Sequence, residues 1–489
     1  MLLLALILVP AVAAALAYLF PALGRRVLLV GTAVVHLALV LLLWATPGDR
    51  AFGGWLAEDA LGRIILTLVS VLFVAVAHYA VGYLREETTR AGRAFVTCML
   101  GFLAAATLVT LSHHFVLLWI GMESTTLAVA PLIYHRHDRR SLEAVWKYLV
   151  LSSVGIAFAL LGVFLLATAQ PSGAAGGRPL VLDDMIAHAG ALDPVWLRAA
   201  FVFVLIGFGS KMGIAPLHAW KPDVYGVAPG LVSALMAGAL TSCAFLGLAR
   251  VVSICFAASI GDFVRPALIG FGLLSIAIAA AFMIGQADVK RLLAYSSVEH
   301  MGLLILALGL GGAGSYGAIL HALNNGLAKV MVFLAVGNVV LAAGTSSAHE
   351  IRGVLRRMPG SGILLVVGLF AVTGSPPFGM FISEYTIISA AIGEHYPWVA
   401  AAVLVLLSII FVAMAAMILE MVYGEPGEPG EPREPAAGHT APRQLRDRAR
   451  LVTAPMLLAV VVLALGVYLP RPLTDALSSA ANALGGRAP

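Results

Sequence analysis

The stretch that decides the fold is "GFGSKMGIAPLHAW", residues 207–220, where a lysine stands inside hydrocarbon. The run before it, Ala199 to Phe208, carries no polar side chain. Five residues after Lys211, Pro216 removes a backbone donor, which breaks or kinks a helix. A cation at the centre of a bilayer costs roughly 2.5–3.5 kcal/mol on insertion scales. Either something neutralises Lys211, or the charge is what the segment is for.

The rest of the chain supplies the membrane. Its 489 residues are 61% hydrophobic and 11% charged, with a mean hydropathy of +0.98. A soluble domain carries about 25% charged residues, so this is an integral membrane protein. The three cysteines, Cys98, Cys243 and Cys255, lie in apolar runs without CxxC spacing. That excludes a cysteine-ligated iron–sulfur cluster or structural zinc site and gives no disulfide framework. A b-type haem needs axial histidines on facing spans, and His36, His78, His113 and His321 show no repeated spacing. "GLGGAG" (Gly309, Gly311, Gly314) follows a membrane span rather than a strand, so it is no nucleotide fingerprint. No cofactor, metal, redox centre or nucleic-acid partner is expected of this chain.

Spanning a ~30 Å hydrocarbon core takes about 20 apolar residues. Fourteen runs qualify: 1–20, 27–46, 61–84, 94–111, 114–134, 142–169, 196–223, 227–256, 264–285, 292–313, 315–344, 361–391, 397–423 and 451–469. The expected class is therefore an all-α polytopic membrane protein with about fourteen transmembrane helices. The first run reads as a span and not a signal peptide, because no basic region precedes it and Arg25-Arg26 follows it. Residues 170–195 form an outer loop with one short helix. Residues 425–450, around "GEPGEPGEPREP", form a Gly/Pro/Glu linker that cannot pack a core.

Charge gives the orientation. With the N-terminus outside, the inner loops hold eighteen Lys and Arg residues and the outer segments eight. The positive-inside rule then places both termini outside, across the plasma (inner) membrane of the cell.

Four of the five lysines, Lys147, Lys211, Lys221 and Lys329, lie inside spans or at their ends. Lysine gives up its proton readily when desolvated, whereas arginine stays charged. A site that gains and loses a proton needs the former. The alternative is that each lysine is a structural cation in a salt bridge. Lys147 suits that reading, because Glu143 sits at i−4 in the favourable order. The carboxylates Glu123, Glu299 and Glu384 lie within spans as well, and an ionisable group there is a functional hypothesis by default.

The pattern repeats. Lys147 is followed at +7 and +8 by Val154-Gly155, and Lys329 in the same way by Val336-Gly337, an offset of 182. Glu123 to Glu299 is 176, and Lys211 to Glu384 is 173. Both copies have a Pro/Gly-broken span, around Pro216 and around Gly374, Pro376 and Pro377. A duplicated unit of five helices, an odd number, is inverted, and paired interrupted spans point to an ion site. The expected organisation is three leading helices (1–92), a first unit (93–256), a second inverted unit (257–424), the linker (425–450) and a last helix with its tail (451–489).

"SKMGIAPLHAWKPD", "VSALMAGAL", "DVKRLLAYSSVEHMG", "LHALNNGLAKVMVF" and "GSPPFGMFISE" resemble the antiporter-like proton-channel subunits of respiratory complex I, Mrp-type antiporters and group 4 membrane-bound hydrogenases. "ESTTLAVAPLIY" and "SSVEHMG" look most like the hydrogenase-4 component F branch of that family. The resemblance covers roughly 90–420. It implies a proton-translocating subunit that works beside other membrane subunits of a redox complex, through buried charges at the membrane midplane. The family's key glutamate matches Glu123, and the lysine of its first broken helix matches Lys211. The later buried lysine matches Lys329, and the terminal ionisable group of the second broken helix matches Glu384.

Protons would pass from the Glu123–Lys211 pair by His218, Lys329 and His321 towards Glu384, with Glu299 and Lys147 as further members. Three departures stand out. Asn325 occupies the place of a second histidine, Ala237 stands where relatives carry His or Lys, and Lys221 replaces the leucine of a "WLPD" pattern. A gap in the middle of the path is therefore expected. An Mrp-like Na⁺/H⁺ antiporter subunit, or an ion-uptake subunit uncoupled from redox chemistry, is the alternative.

Overall fold

The computed structural model describes residues 1–45, 49–86, 92–171, 180–425 and 447–485. Four helices lead: α1 (Leu2–Leu19), α2 (Ala22–Ala45), α3 (Ala60–Glu86) and α4 (Gly92–Leu111). They are followed by α5 (Phe115–Ile133), α6 (Arg139–Thr168), the short α7 (Leu182–Ala187), α8 (Pro194–Met212), α9 (Trp220–Val227) and α10 (Gly230–Leu235). Then come α11 (Thr241–Ala257), α12 (Gly261–Met283), α13 (Val289–Leu310), α14 (Ala313–Ala343) and the short α15 (Val354–Arg357). The chain closes with α16 (Pro359–Val372), α17 (Gly379–Gly393), α18 (Pro397–Tyr423), α19 (Ala449–Val467) and α20 (Arg471–Ala483).

Among the described residues, thirteen helices are long and apolar enough to cross a membrane. The fourteenth expected run, 361–391, is occupied by the two shorter apolar helices α16 and α17. A two-stranded hairpin, β1 (Arg50–Ala51) with β2 (Leu56–Ala57), precedes α3. It leaves no trace in the sequence, because strands of two residues carry no periodicity. In the loop at 170–195, α7 is present and residues 172–179 lie outside the described residues. So do residues 426–446 of the Gly/Pro/Glu linker.

Burial runs from rim to centre. The α10–α11 segment and α13 are buried throughout their apolar windows, whereas α18 and α19 are 28% buried. Apolar side chains on the rim are stable there only because hydrocarbon surrounds them, and between helices in lipid the hydrophobic drive is absent. Close packing of small residues takes its place. A Cβ on Gly272 would lie 2.7 Å from the Gly302 carbonyl, and one on Gly302 2.8 Å from the Gly272 carbonyl. These two glycines let α12 and α13 touch backbone to backbone.

Helix starts are fixed by acidic caps. Asp138 accepts from Ser141 N at 2.6 Å and its own N–H donates to Ser141 Oγ at 3.1 Å, a capping box that opens α6. Asp193 opens α8 and Asp288 opens α13 in the same manner, each accepting from two backbone N–H groups.

The breaks matter most for function. α8 stops at Met212 because Gly213 takes φ +69, and helix resumes only at Trp220. The interruption thus begins before Pro216, the residue that flagged it. α16 stops at Val372, Gly374 takes φ +64, and α17 begins at Gly379 beyond Pro376 and Pro377. Between α10 and α11, residues Met236–Leu240 form a π turn. Ala237 lies in it, where the sequence analysis expected the path to be interrupted.

Candidate ion pathway

Glu123 on α5 accepts from Ser153 Oγ of α6 at 3.2 Å and from Thr126 Oγ1, one turn further along its own helix, at 3.1 Å. Lys211, at the last turn of α8, donates to Thr126 Oγ1 and lies 5.2 Å from the centre of the Tyr148 ring. Lysine and glutamate are thus joined by a hydroxyl. The side chain of Lys211 is wholly buried.

The break after Lys211 is closed by Lys221 on α9. Its ammonium donates to the Met212 carbonyl at 2.5 Å, to Ser297 Oγ at 2.9 Å and to the Ser297 carbonyl at 3.3 Å. A hydrogen bond to a charged group contributes about 1.5–3 kcal/mol. Two such bonds offset the insertion cost of the cation. From sequence alone Lys221 is one of four lysines in or beside the spans and a departure from a "WLPD" pattern, not a member of the expected path. Its signal was available, a fourth lysine in an apolar context, but nothing in the sequence pairs position 221 with position 297.

α13 carries the next groups. Lys329 on α14 donates to Ser296 Oγ at 2.6 Å, and Ser296 Oγ donates to Glu299 Oε2 at 3.2 Å. Glu299 Oε1 lies 3.5 Å from His300 Nδ1. That same nitrogen is 3.2 Å from His321 Nε2, and His321 Nδ1 is 3.0 Å from Ser383 Oγ on α17. Glu384, the neighbour of Ser383, has a carboxylate oxygen within 4.8 Å of a ring nitrogen of each imidazole. His300 was missed from the expected set, although it stands inside the quoted "SSVEHMG".

One buried row therefore runs Glu123, Thr126, Lys211, Lys221, Ser297, Ser296, Lys329, Glu299, His300, His321, Glu384. Two of its joins, at 211–212 and 296–297, pass between consecutive residues of one helix. The structure brings together five of the expected site residues: Lys211, Glu299, Lys329, His321 and Glu384, with Glu123 at the partly buried end.

Two expected members stand apart. Lys147 is half exposed and holds Glu143 and Asp223, both at 2.8 Å, which ties α6 to α9. That is the salt-bridged alternative considered for it above. His218 lies in the break beyond Pro216, with its ring centre 6.3 Å from that of Tyr295. Asn325 is buried with neither side-chain polar atom partnered, and the neighbouring Asn324 donates to the Gly379 carbonyl at 2.8 Å. His36, one of the histidines weighed for haem, is satisfied by Ser70 at 3.0 Å and Thr107 at 2.9 Å. Lys290, counted above with the inner-loop charges, is buried, and its ammonium donates to the Gly226 and Ala228 carbonyls at the end of α9.

A second polar cluster gathers where α4 ends and α3 and α5 begin, around Arg250 of α11. Arg250 is buried and donates to Asp59 at 2.6 Å and to the carbonyls of Ser112, Thr110 and Val109. His113 is 3.4 Å from Asp59 and 3.7 Å from Asp183, and Arg50 holds Asp183 at 2.8 Å. Burial alone would lower the basicity of His113, but Asp183 and Asp59 outweigh it and raise its pKa. His113 in turn lowers the pKa of Asp183. For Asp59, burial opposes ionisation, but Arg250 and His113 prevail and hold the carboxyl below its usual range.

Residues 112–410 match the family described as NADH:quinone oxidoreductase/Mrp antiporter, TM. The chain is 31% identical over 430 residues to a "Hydrogenase-4 component F homolog" of Methylacidiphilum infernorum, covering 86% of each. It is 29% identical to "NADH-quinone oxidoreductase subunit N" of Thiobacillus denitrificans, covering 92% of this chain and 90% of that one. Among solved structures, a chain of the membrane-bound sulfane sulfur reductase, an archaeal respiratory membrane complex, superposes with a TM-score of 0.85 at 23% identity. That match covers 99% of this chain and 97% of the other.

Proposed function

Because this chain belongs to the NADH:quinone oxidoreductase/Mrp antiporter transmembrane family, we propose that it is the proton-translocating membrane subunit of a multisubunit redox complex of the membrane-bound hydrogenase or NADH dehydrogenase type. The observation that carries this reading is the row from Glu123 to Glu384, in which hydroxyls join lysine to glutamate at Thr126 and at Ser296 and a His–His–Glu cluster ends the row on α13, α14 and α17.

The chemistry follows from the row. A hydroxyl accepts one hydrogen bond while donating another, so Thr126 can take a proton from an ammonium and pass its own to a carboxylate. Ser296 can do the same between Lys329 and Glu299. A carboxylate close to a lysine favours the charged lysine, and moving the two apart leaves a desolvated cation that gives up its proton. Redox chemistry in partner subunits would set that separation. The broken ends of α8 and α17 supply the hinge at which small helix shifts occur. Lys221 stands between the two relays, held by the Met212 carbonyl and by Ser297. Water would carry the proton across the backbone joins at 211–212 and 296–297, and Glu384 exchanges protons at the far end. Lys147 stays outside the row as an anchor, and His218 flanks it.

The same reading places the chain in the plasma membrane with both termini outside, built from two inverted five-helix units at 93–256 and 257–424. Its partners are other membrane subunits of the complex, and the transported ion is H⁺. The test is proton uptake into inverted vesicles, followed with a pH dye in the assembled complex. Lys211→Met and Glu123→Gln should assemble and lose pumping. Normal pumping in both would make the pair structural. Sodium-driven exchange, from a complex without redox subunits, would give the family's antiporter activity in place of redox pumping.

A further inference from the structure

At the far end of the row, two imidazoles and a carboxylate meet without using all their valences on one another. One ligand atom each from His300, His321 and Glu384 lies within 4.8 Å of the other two. The three residues come from three helices, α13, α14 and α17, and all are at least nine-tenths buried. Glu384 Oε1 is buried without a hydrogen-bond partner.

The two imidazole nitrogens already have the spacing of a coordination sphere. Zinc binds imidazole nitrogen at about 2.0–2.1 Å, which sets a tetrahedral edge of roughly 3.3–3.4 Å. His300 Nδ1 and His321 Nε2 are 3.2 Å apart, already close to that edge. The Glu384 carboxylate has to swing inward, and no hydrogen bond restrains its Oε1. Ser383 Oγ at His321 Nδ1, 3.0 Å, fixes the ring from behind, as outer partners of metal-bound histidines do. Glu299 Oε1, 3.5 Å from His300 Nδ1, adds a second carboxylate beside the site. Lys329 faces the cluster from α14 and opposes a cation, but its ammonium is turned to Ser296.

We propose that His300, His321 and Glu384 form a binding site for a divalent transition-metal ion of the zinc class. Two nitrogens and one oxygen suit zinc, cobalt or nickel and not sodium, magnesium or calcium, which prefer all-oxygen sets. The fourth position is open to water or to Glu299. The ion takes the place of the proton shared by the two imidazoles, so metal and proton compete for the same atoms. Taken with the function proposed above, occupation fixes the terminal groups and stops transport, which makes the site an inhibitory one.

The experiment titrates the metal-free full-length chain in detergent with Co²⁺ and then displaces it with Zn²⁺. The expected result is a tetrahedral cobalt spectrum that saturates at one equivalent per chain. The spectrum should vanish in His300→Ala and in His321→Gln, which keeps a hydrogen bond to Ser383. Glu384→Gln should weaken binding about tenfold or more, and the surface variant His188→Ala/His349→Ala should change nothing. Absence of the spectrum, or its persistence in both histidine variants, would overturn the site. Vesicle pumping separates the two claims. Site-specific binding with undiminished pumping would leave the site standing and remove this cluster from the proton path.

Discussion

Lys211 reaches Glu123 through a third residue: its ammonium donates to Thr126 Oγ1, which donates onward to Glu123 Oε2 at 3.1 Å. Lys329 and Glu299 are related in the same way through Ser296, with bonds of 2.6 and 3.2 Å. The chain thus holds two lysine–hydroxyl–carboxylate relays, one on each side of Lys221. In one the hydroxyl lies three residues after the glutamate, in the other three residues before it. A direct ion pair would hold its proton tightly. An intervening hydroxyl keeps the charges close while offering a transfer step.

Thr126 should therefore be more than packing. Thr126→Ser is expected to pump nearly as the natural protein does. Thr126→Val keeps the shape and removes the hydroxyl, and it should slow pumping about tenfold, equivalent to about 1.4 kcal/mol on the barrier. The measurement is initial proton uptake in vesicles at equal complex content. Unchanged rates with valine would mean that the proton bypasses this residue.

Glu384 tests the terminal group. Gln keeps its size and hydrogen bonding but removes titration, and Lys supplies the group that some relatives use. Gln is expected to block pumping and Lys to retain a fraction of it. Equal loss in both would point to an anchoring role. The neighbouring Gly374→Ala should also impair pumping, because φ is +64 there and a Cβ would collide with the Glu384 carboxylate.

Orientation can be read with thiol reagents. In a Cys98→Ala background, Ala187→Cys should react with an impermeant maleimide in intact spheroplasts, and Ala287→Cys should not. Both positions are exposed, whereas Cys243 and Cys255 are fully buried. The reverse pattern would contradict the positive-inside count.

His113 should make the α4–α5 turn sensitive to pH. Its pKa is raised in the fold, so its stabilising contribution is complete below its unfolded pKa of about 6.5 and is lost as pH rises through the folded value. Asp59 and Asp183 are lowered, so their contributions are complete above about 3.9 and fade as pH falls through their folded values. The cluster of these three with Arg250 and Arg50 should be tightest between roughly pH 4 and 6.5. Amide protection, taken relative to the free-chain exchange rate at each pH, should be greatest in that window at residues 112–115 and 180–184 and should lose its upper limb in His113→Gln. A flat profile in the natural protein would show that the cluster does not respond to pH.

Much of this was legible along the chain. Uninterrupted apolar runs have only one stable solution in hydrocarbon, since each backbone polar group must be satisfied within its own helix. That placed the spans without tertiary information. Charged residues in such runs are costly, so Glu123, Lys211, Glu299, Lys329 and Glu384 stood out against their surroundings. Pro216, Pro376 and Pro377 marked the two interruptions. They did not give the boundaries, because Gly213 and Gly374 adopt positive φ and end the helices first.

Composition and local pattern were enough to give the solvent, the helical class and the short roster of groups able to carry charge through it. Tertiary structure decided which of those groups meet. Lys147 and Lys221 both stand in or beside apolar runs, yet one is half exposed between two carboxylates and the other is wholly buried against Ser297. Helix rotation and the path of the broken segment make that difference. Residues 76 positions apart come into contact through helix packing, whose determinants are spread over many small residues. His300 joins the row for the same reason, since only the approach of α14 and α17 turns a histidine in an apolar helix into the neighbour of His321 and Glu384.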